Sequence, residues 1–131
     1  MFNTAENRLK ALIIDDEEDM RVLASVFLEM DGSFEVTSVS SGEEGVLVAR
    51  RTVPDLILLD YMMPGMDGPA TLRALKNDDA TRNIPVVFLT AMAKPGDILS
   101  ELVAMGAAGA ISKPFDPAAL AGEILQILES Q

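Results

Sequence analysis

Histidine and cysteine are both absent from this 131-residue chain, so any chemistry it performs must be built from oxygens and amines. Four stretches offer such groups in one recurring arrangement. Leu56-Ile57-Leu58-Leu59 runs into Asp60, and Lys10-Ala11-Leu12-Ile13-Ile14 runs into Asp15-Asp16. Pro85-Val86-Val87-Phe88-Leu89 runs into Thr90-Ala91, and the stretch from Ala107 to Ile111 runs into Ser112-Lys113. Asp60 taken alone could simply cap the loop that follows it. Four apolar runs that each stop on a distinctive polar residue are harder to assign to chance. Three carboxylates with no imidazole or thiolate suit a hard divalent cation held by oxygen, Mg²⁺ or Mn²⁺. A lysine and a threonine hydroxyl beside it supply a cation and a donor for an anion's oxygens. Carboxylate nucleophile, metal, ammonium and hydroxyl together describe phosphoryl transfer onto an aspartate.

That chemistry requires the four run ends to meet. Short unbroken apolar runs bounded by turn signals suit strands buried on both faces, as in a parallel sheet. Between them lie helical segments. The first runs from about Glu17 to Met30, with Met20, Leu23, Ala24, Phe27 and Met30 expected on its core stripe and Asp31-Gly32 ending it. Glu17, Glu18 and Asp19 suit the positive end of its macrodipole. Phe34–Val39 alternates partly and fits an edge strand. Ser40-Ser41-Gly42-Glu43-Glu44 has the form of an N-cap entering a helix that ends near Arg51. Further helices are expected over about 68–76, from Pro95 to Met105, and over about 116–129, where Asp116-Pro117 supplies an N-cap with Pro at the first helical position. Residues 77–83 form a polar loop. With β1 at about 10–14 and the site strand at 56–59, strands and helices alternate, five of each. The expected fold is a doubly wound α/β domain with a parallel sheet, one domain over residues 1–131. In such a sheet all carboxyl ends share one edge, where ligands collect.

Composition removes several function classes. The net charge of −11 speaks against direct nucleic-acid binding. No apolar run approaches the ~20 residues that span a bilayer, and the start, MFNTAENRLKALIIDD, lacks the form of a signal peptide. A cytoplasmic location is expected. Without histidine there is no Ser-His-Asp hydrolysis and no His-ligated zinc. No Gly-x-x-x-x-Gly-Lys segment exists for a P-loop.

Over essentially its whole length the sequence resembles the receiver domains of two-component response regulators, in the manner of single-domain chemotaxis regulators. The motifs that carry the resemblance are Ile13-Ile14-Asp15-Asp16-Glu17, the run from Leu58 through Asp60 to Gly68, Leu89-Thr90-Ala91 and Ser112-Lys113-Pro114-Phe115. The resemblance implies a flavodoxin-like fold with strand order 2-1-3-4-5. It implies that Asp60 is the phosphoacceptor, served by a histidine kinase or histidine phosphotransfer protein. Asp16, Asp60 and the backbone carbonyl of Met62 would bind Mg²⁺, with Asp15 acting mainly through water. Thr90 would bond a phosphoryl oxygen, Lys113 would pair with the phosphoryl group, and the Lys113–Pro114 bond would be cis. The chain would act as a switch rather than a turnover enzyme, controlling a partner protein or a fused output module.

Two departures bear on output. Receivers usually carry Tyr or Phe three residues before the lysine, and this chain has Ala110. Beyond Lys94 the only base is Lys113, against Asp97, Glu101, Asp116, Glu123 and Glu129, so the interlocking ion pairs of OmpR-class dimers cannot form. A monomer or weak dimer is expected, with Ala118, Ala121, Gly122, Leu125 and Ile127 available on the last helix for a small apolar contact. Val22 and Val26 are candidates for contact with the phosphodonor, and the Met62 and Met92 side chains are expected to border the site. Two other readings compete. A phosphorylation-independent docking module of the same fold is opposed by the complete set of Asp15, Asp16, Asp60, Thr90 and Lys113. A haloacid-dehalogenase-like phosphatase needs a second Asp two residues after its nucleophile, where this chain has Met62 after Asp60 and Glu17 after Asp15.

Overall fold

The computed structural model describes residues 8–91 and 95–131, with only the backbone described for residues 95–97. The elements alternate strictly: β1 (Leu9–Ile14), α1 (Glu18–Asp31), β2 (Phe34–Val39), α2 (Gly42–Thr52), β3 (Leu56–Asp60), α3 (Gly68–Lys76), β4 (Val86–Thr90), α4 (Pro95–Ala104), β5 (Gly109–Ser112) and α5 (Pro117–Glu129). All strand pairs are parallel, in the order β2-β1-β3-β4-β5. This is the flavodoxin-like order. The partly polar β2 takes one edge, and the more apolar β1 and β3 lie inside.

Alternate residues of each inner strand enter two separate cores, as a pleat demands. Ala11, Ile13, Leu56, Leu58, Val87 and Leu89 pack with Leu28 of α1 and Leu120 and Ile124 of α5. Leu12, Ile14, Ile57, Leu59, Val86 and Phe88 pack with Ala49 of α2, Leu72 and Leu75 of α3, and Leu102 of α4. Burial on both faces is why these strands read as continuous apolar runs instead of alternating ones.

The helices begin where local chemistry directs them. The Ser41 hydroxyl accepts from Glu44 N–H at 3.2 Å, while the Glu44 carboxylate accepts from the Ser40 hydroxyl. Asp67 caps α3 through Ala70 N–H at 2.9 Å, and Asp116 caps α5 through Ala118 N–H. Gly32 closes α1 in a left-handed conformation, φ 85°.

Helix α1 is rotated relative to the expected stripe. Ala24 and Leu28 are its buried residues, whereas Leu23 and Met30 face solvent. The segment from Val22 to Met30 is apolar at most positions, so several stripes fit its sequence. Packing against β2 and α5 selects the one through Leu28.

Candidate functional site

The carboxyl edge gathers the polar strand ends. β3 extends one residue beyond the expected 56–59, so Asp60 is held by the sheet itself, paired in register with Leu89. Thr90 is the last residue of β4, opposite Ser112 of β5. Lys113 follows directly, its backbone N–H donating to the Thr90 carbonyl at 2.6 Å. The Lys113–Pro114 bond is cis. Asp15 and Asp16 stand at the tip of β1, where Asp15 N–H donates to the Val39 carbonyl.

The side chains meet. Lys113 Nζ lies 2.8 Å from Asp15 Oδ2 and 3.3 Å from Asp60 Oδ1. Asp15, Asp16 and Asp60 each offer an oxygen within 4.8 Å of the others. Asp15, Asp60 and Thr90 are buried, and Asp16 is exposed. Hard oxygen donors at this separation, with no nitrogen or sulfur among them, fit a Mg²⁺- or Mn²⁺-sized cation. Three sequence-expected carboxylates, the lysine and the Thr90 strand end therefore come to one edge. Met62 lies in the loop after β3 with an exposed side chain and donates its N–H to Asp60 Oδ1 at 3.3 Å. Met92 lies outside the described residues.

Crowding sets the charge state. Burial, and then the neighbouring Asp15 charge, push the Asp60 carboxyl up to about 7, against the opposing pull of Lys113 and the Met62 N–H. For Lys113, burial pulls the ammonium down, but its hydrogen bond and charge interaction with Asp15, followed by Asp60, raise it overall.

Sequence reasoning missed three participants. Glu17 was assigned to the start of α1, yet its side chain makes no capping bond there, and its carboxylate instead lies 3.4 Å from Lys113 Nζ. Arg21 Nη1 donates to the Asp15 carbonyl at 2.8 Å, fixing the turn that presents both aspartates. Gly68 packs against the back of the site. A Cβ there would stand 2.6 Å from the Asp60 carbonyl oxygen, and Gly68 N–H donates to the Tyr61 carbonyl at 3.0 Å. Only the Asp60–Gly68 spacing hinted at this approach.

The model of the response regulator receiver domain family matches residues 11–125. The chain belongs to that family. Among curated relatives, this receiver is 42% identical over 109 residues to the response regulator PleD of Caulobacter vibrioides, covering 82% of this chain and 23% of PleD. It is 38% identical over 117 residues to the phosphate regulon transcriptional regulatory protein PhoB of Pseudomonas aeruginosa, covering 89% of the chain and 50% of PhoB. The receiver thus spans about a quarter to a half of these two relatives. Among solved structures, the chemotaxis response regulator CheY4 of Vibrio cholerae superposes with a TM-score of 0.83 at 29% identity, over 92% of this chain and 98% of that one. The signal receiver domain of a signal transduction histidine kinase from Syntrophus aciditrophicus gives 0.78 at 34% identity, over 93% and 91%. Receiver domains form a signalling family, not one of classical turnover enzymes. Among the described residues, no helix is long and apolar enough to cross a membrane.

Proposed function

We propose that this receiver accepts a phosphoryl group on Asp60 from the phosphohistidine of a kinase or phosphotransfer protein, and thereby switches its contacts with a downstream partner. The observation that carries the reading is Lys113 Nζ held between Asp15 and Asp60, with Asp16 beside them. An Asp60 carboxylate oxygen attacks the phosphorus, the P–N bond to imidazole breaks, and the freed imidazole leaves with the electron pair and takes up a proton. Asp16, Asp60 and the Met62 carbonyl would hold Mg²⁺, with Asp15 linked through water. When bound, the cation supplies positive charge against the phosphoryl oxygens and favours the ionised form of Asp60. Lys113 pairs with the phosphoryl group, and Thr90 donates its hydroxyl to a phosphoryl oxygen. The new charge of about −1.5 to −2 biases the loops at this edge and α4 towards a second arrangement.

Output runs through protein contact or through a fused module, and the receiver itself contacts neither nucleic acid nor membrane. Ala110 stands opposite Phe88 in the β4–β5 register, and Tyr61 packs edge-on against Phe88 with ring centroids 5.6 Å apart. The missing aromatic at 110 favours a second reading, a docking module whose contacts ignore phosphorylation. Intact mass after incubation with acetyl phosphate separates the two. A Mg²⁺-dependent adduct of one phosphoryl group on the wild type and none on Asp60→Asn is expected. Absence of an adduct on the wild type selects the docking module.

A further inference from the structure

Glu17 holds the start of α1 by position alone. Its backbone is extended, φ −91° and ψ 114°, and its carboxylate takes no part in capping the helix. That carboxylate reaches across to Lys113, 96 residues away in the chain. The ammonium has three N–H donors and three carboxylates around it: Asp15 at 2.8 Å, Asp60 at 3.3 Å and Glu17 at 3.4 Å. Each of these carboxylates therefore competes with an incoming phosphoryl oxygen for the Lys113 ammonium.

The three are unequal. Asp15 is fully buried, and its other carboxylate oxygen accepts from Glu17 N–H at 2.9 Å. Its carbonyl is held by Arg21. Asp15 cannot retreat without undoing the β1–α1 turn. Asp60 is the group that reacts. The Glu17 side chain is 62% exposed and makes the longest of the three contacts.

We propose that Glu17 is a positioning residue for Lys113, the displaceable third partner that holds the ammonium at the mouth of the unmodified site and competes with the phosphoryl group for it. The proposal rests on the reading of Asp60 as phosphoacceptor. As the phosphoryl oxygens arrive, Lys113 exchanges Glu17 for them while keeping Asp15. The freed carboxylate swings into water, which its exposure permits without disturbing either core.

The test is calorimetric titration of the protein with beryllofluoride, a phosphoryl analogue, at saturating Mg²⁺, for wild type, Glu17→Gln and Glu18→Gln. Removing an exposed ionic competitor lowers the half-saturating concentration roughly two- to fivefold in Glu17→Gln, and the difference shrinks at about 1 M salt. Glu18→Gln removes the same charge one residue along and leaves half-saturation at the wild-type value. A role confined to the helix start would move the melting temperature of Glu17→Gln and leave half-saturation alone. Unchanged or weaker binding in Glu17→Gln, or an equal gain in Glu18→Gln, overturns the proposal. If the wild type forms its Mg²⁺-dependent adduct, that failure leaves Asp60 as acceptor intact. A wild type that neither forms the adduct nor binds beryllofluoride overturns both readings.

Discussion

Asp60 and Asp78 lie at opposite edges of the same sheet, and their surroundings drive them in opposite directions. Asp78, in the turn between α3 and β4, accepts from Ala80 N–H and from Arg50 Nε, and these donors hold its carboxyl below the usual range. Asp60 is pushed up to about 7 by burial and by Asp15. The lysines differ likewise. Lys76 spends its ammonium on the carbonyls of Arg82 and Ile84, and burial lowers its affinity for the proton. Lys113 is surrounded by carboxylates and pushed up. At the amino edge Asp78 and Lys76 each hold a turn through backbone partners close in the chain. At the carboxyl edge Asp15, Asp16, Glu17 and Asp60 face Lys113 and the Arg21–carbonyl contact, and the surplus is negative. Such an imbalance costs stability, and a bound cation would relieve it.

The largest effect should come from relieving that imbalance. An acid whose folded-state value is raised binds more protons when native than when unfolded, so its contribution to stability falls as pH rises. For Asp60 the window lies between 3.8 and about 7. Asp60→Asn is therefore expected to stabilise the metal-free protein at pH 8 by on the order of 2–4 kcal/mol. The gain should fade below pH 4 and shrink when Mg²⁺ is added to the wild type. Urea unfolding across pH, with and without Mg²⁺, checks it. A gain that is flat with pH would mean that Asp60 is no more strained than Asp78, and the contrast between the edges would fail.

Much of this contrast is legible in the sequence. Strand ends can be read from where apolar runs stop, and parallel topology then places Asp15, Asp16, Asp60, Thr90 and Lys113 on one edge without any knowledge of side-chain direction. Helix rotation is a different matter. In α1 a turn of 100° per residue decides whether Leu23 or Leu28 faces the sheet, and a segment with apolar residues at 22, 23, 24, 26, 27, 28 and 30 fits several answers. The reach of Arg21 towards Asp15 depends on that rotation, and so was hidden with it, whereas that of Glu17 follows from its extended backbone ahead of the helix. Gly68 was hidden for another reason. Its role is to lack a Cβ against the Asp60 carbonyl, and a glycine after Asp67 reads equally well as a turn.

Gly68 tests how rigidly the site is backed. A methyl group there meets backbone atoms, the Asp60 carbonyl oxygen at 2.6 Å and Tyr61 Cα at 2.8 Å, so no side chain can rotate away. Gly68→Ala is expected to cost about 1–3 kcal/mol, as read by urea unfolding. It should also weaken Mg²⁺ binding by calorimetry, because the loop carrying the Met62 carbonyl must shift. If stability falls while Mg²⁺ affinity holds, the loop behind Asp60 is a packing element only.

The smallest effect is expected at the amino edge, where the same residue types do ordinary work. Arg50 Nε and Asp78 Oδ2 are 2.6 Å apart, but the Arg50 side chain is half exposed. Its Coulomb gain is screened, and ordering a long side chain offsets part of what remains. Arg50→Ala should therefore cost no more than about 1 kcal/mol in urea. Asp78 keeps its bond from Ala80 N–H, so the loss leaves no buried charge without a partner, unlike a lost partner between Asp15 and Asp60. Acetyl phosphate labelling should proceed at the wild-type rate. A change in labelling rate would show that the two edges are coupled through α3 or β4, and the separation drawn between a turn-closing edge and a reactive one would have to be abandoned.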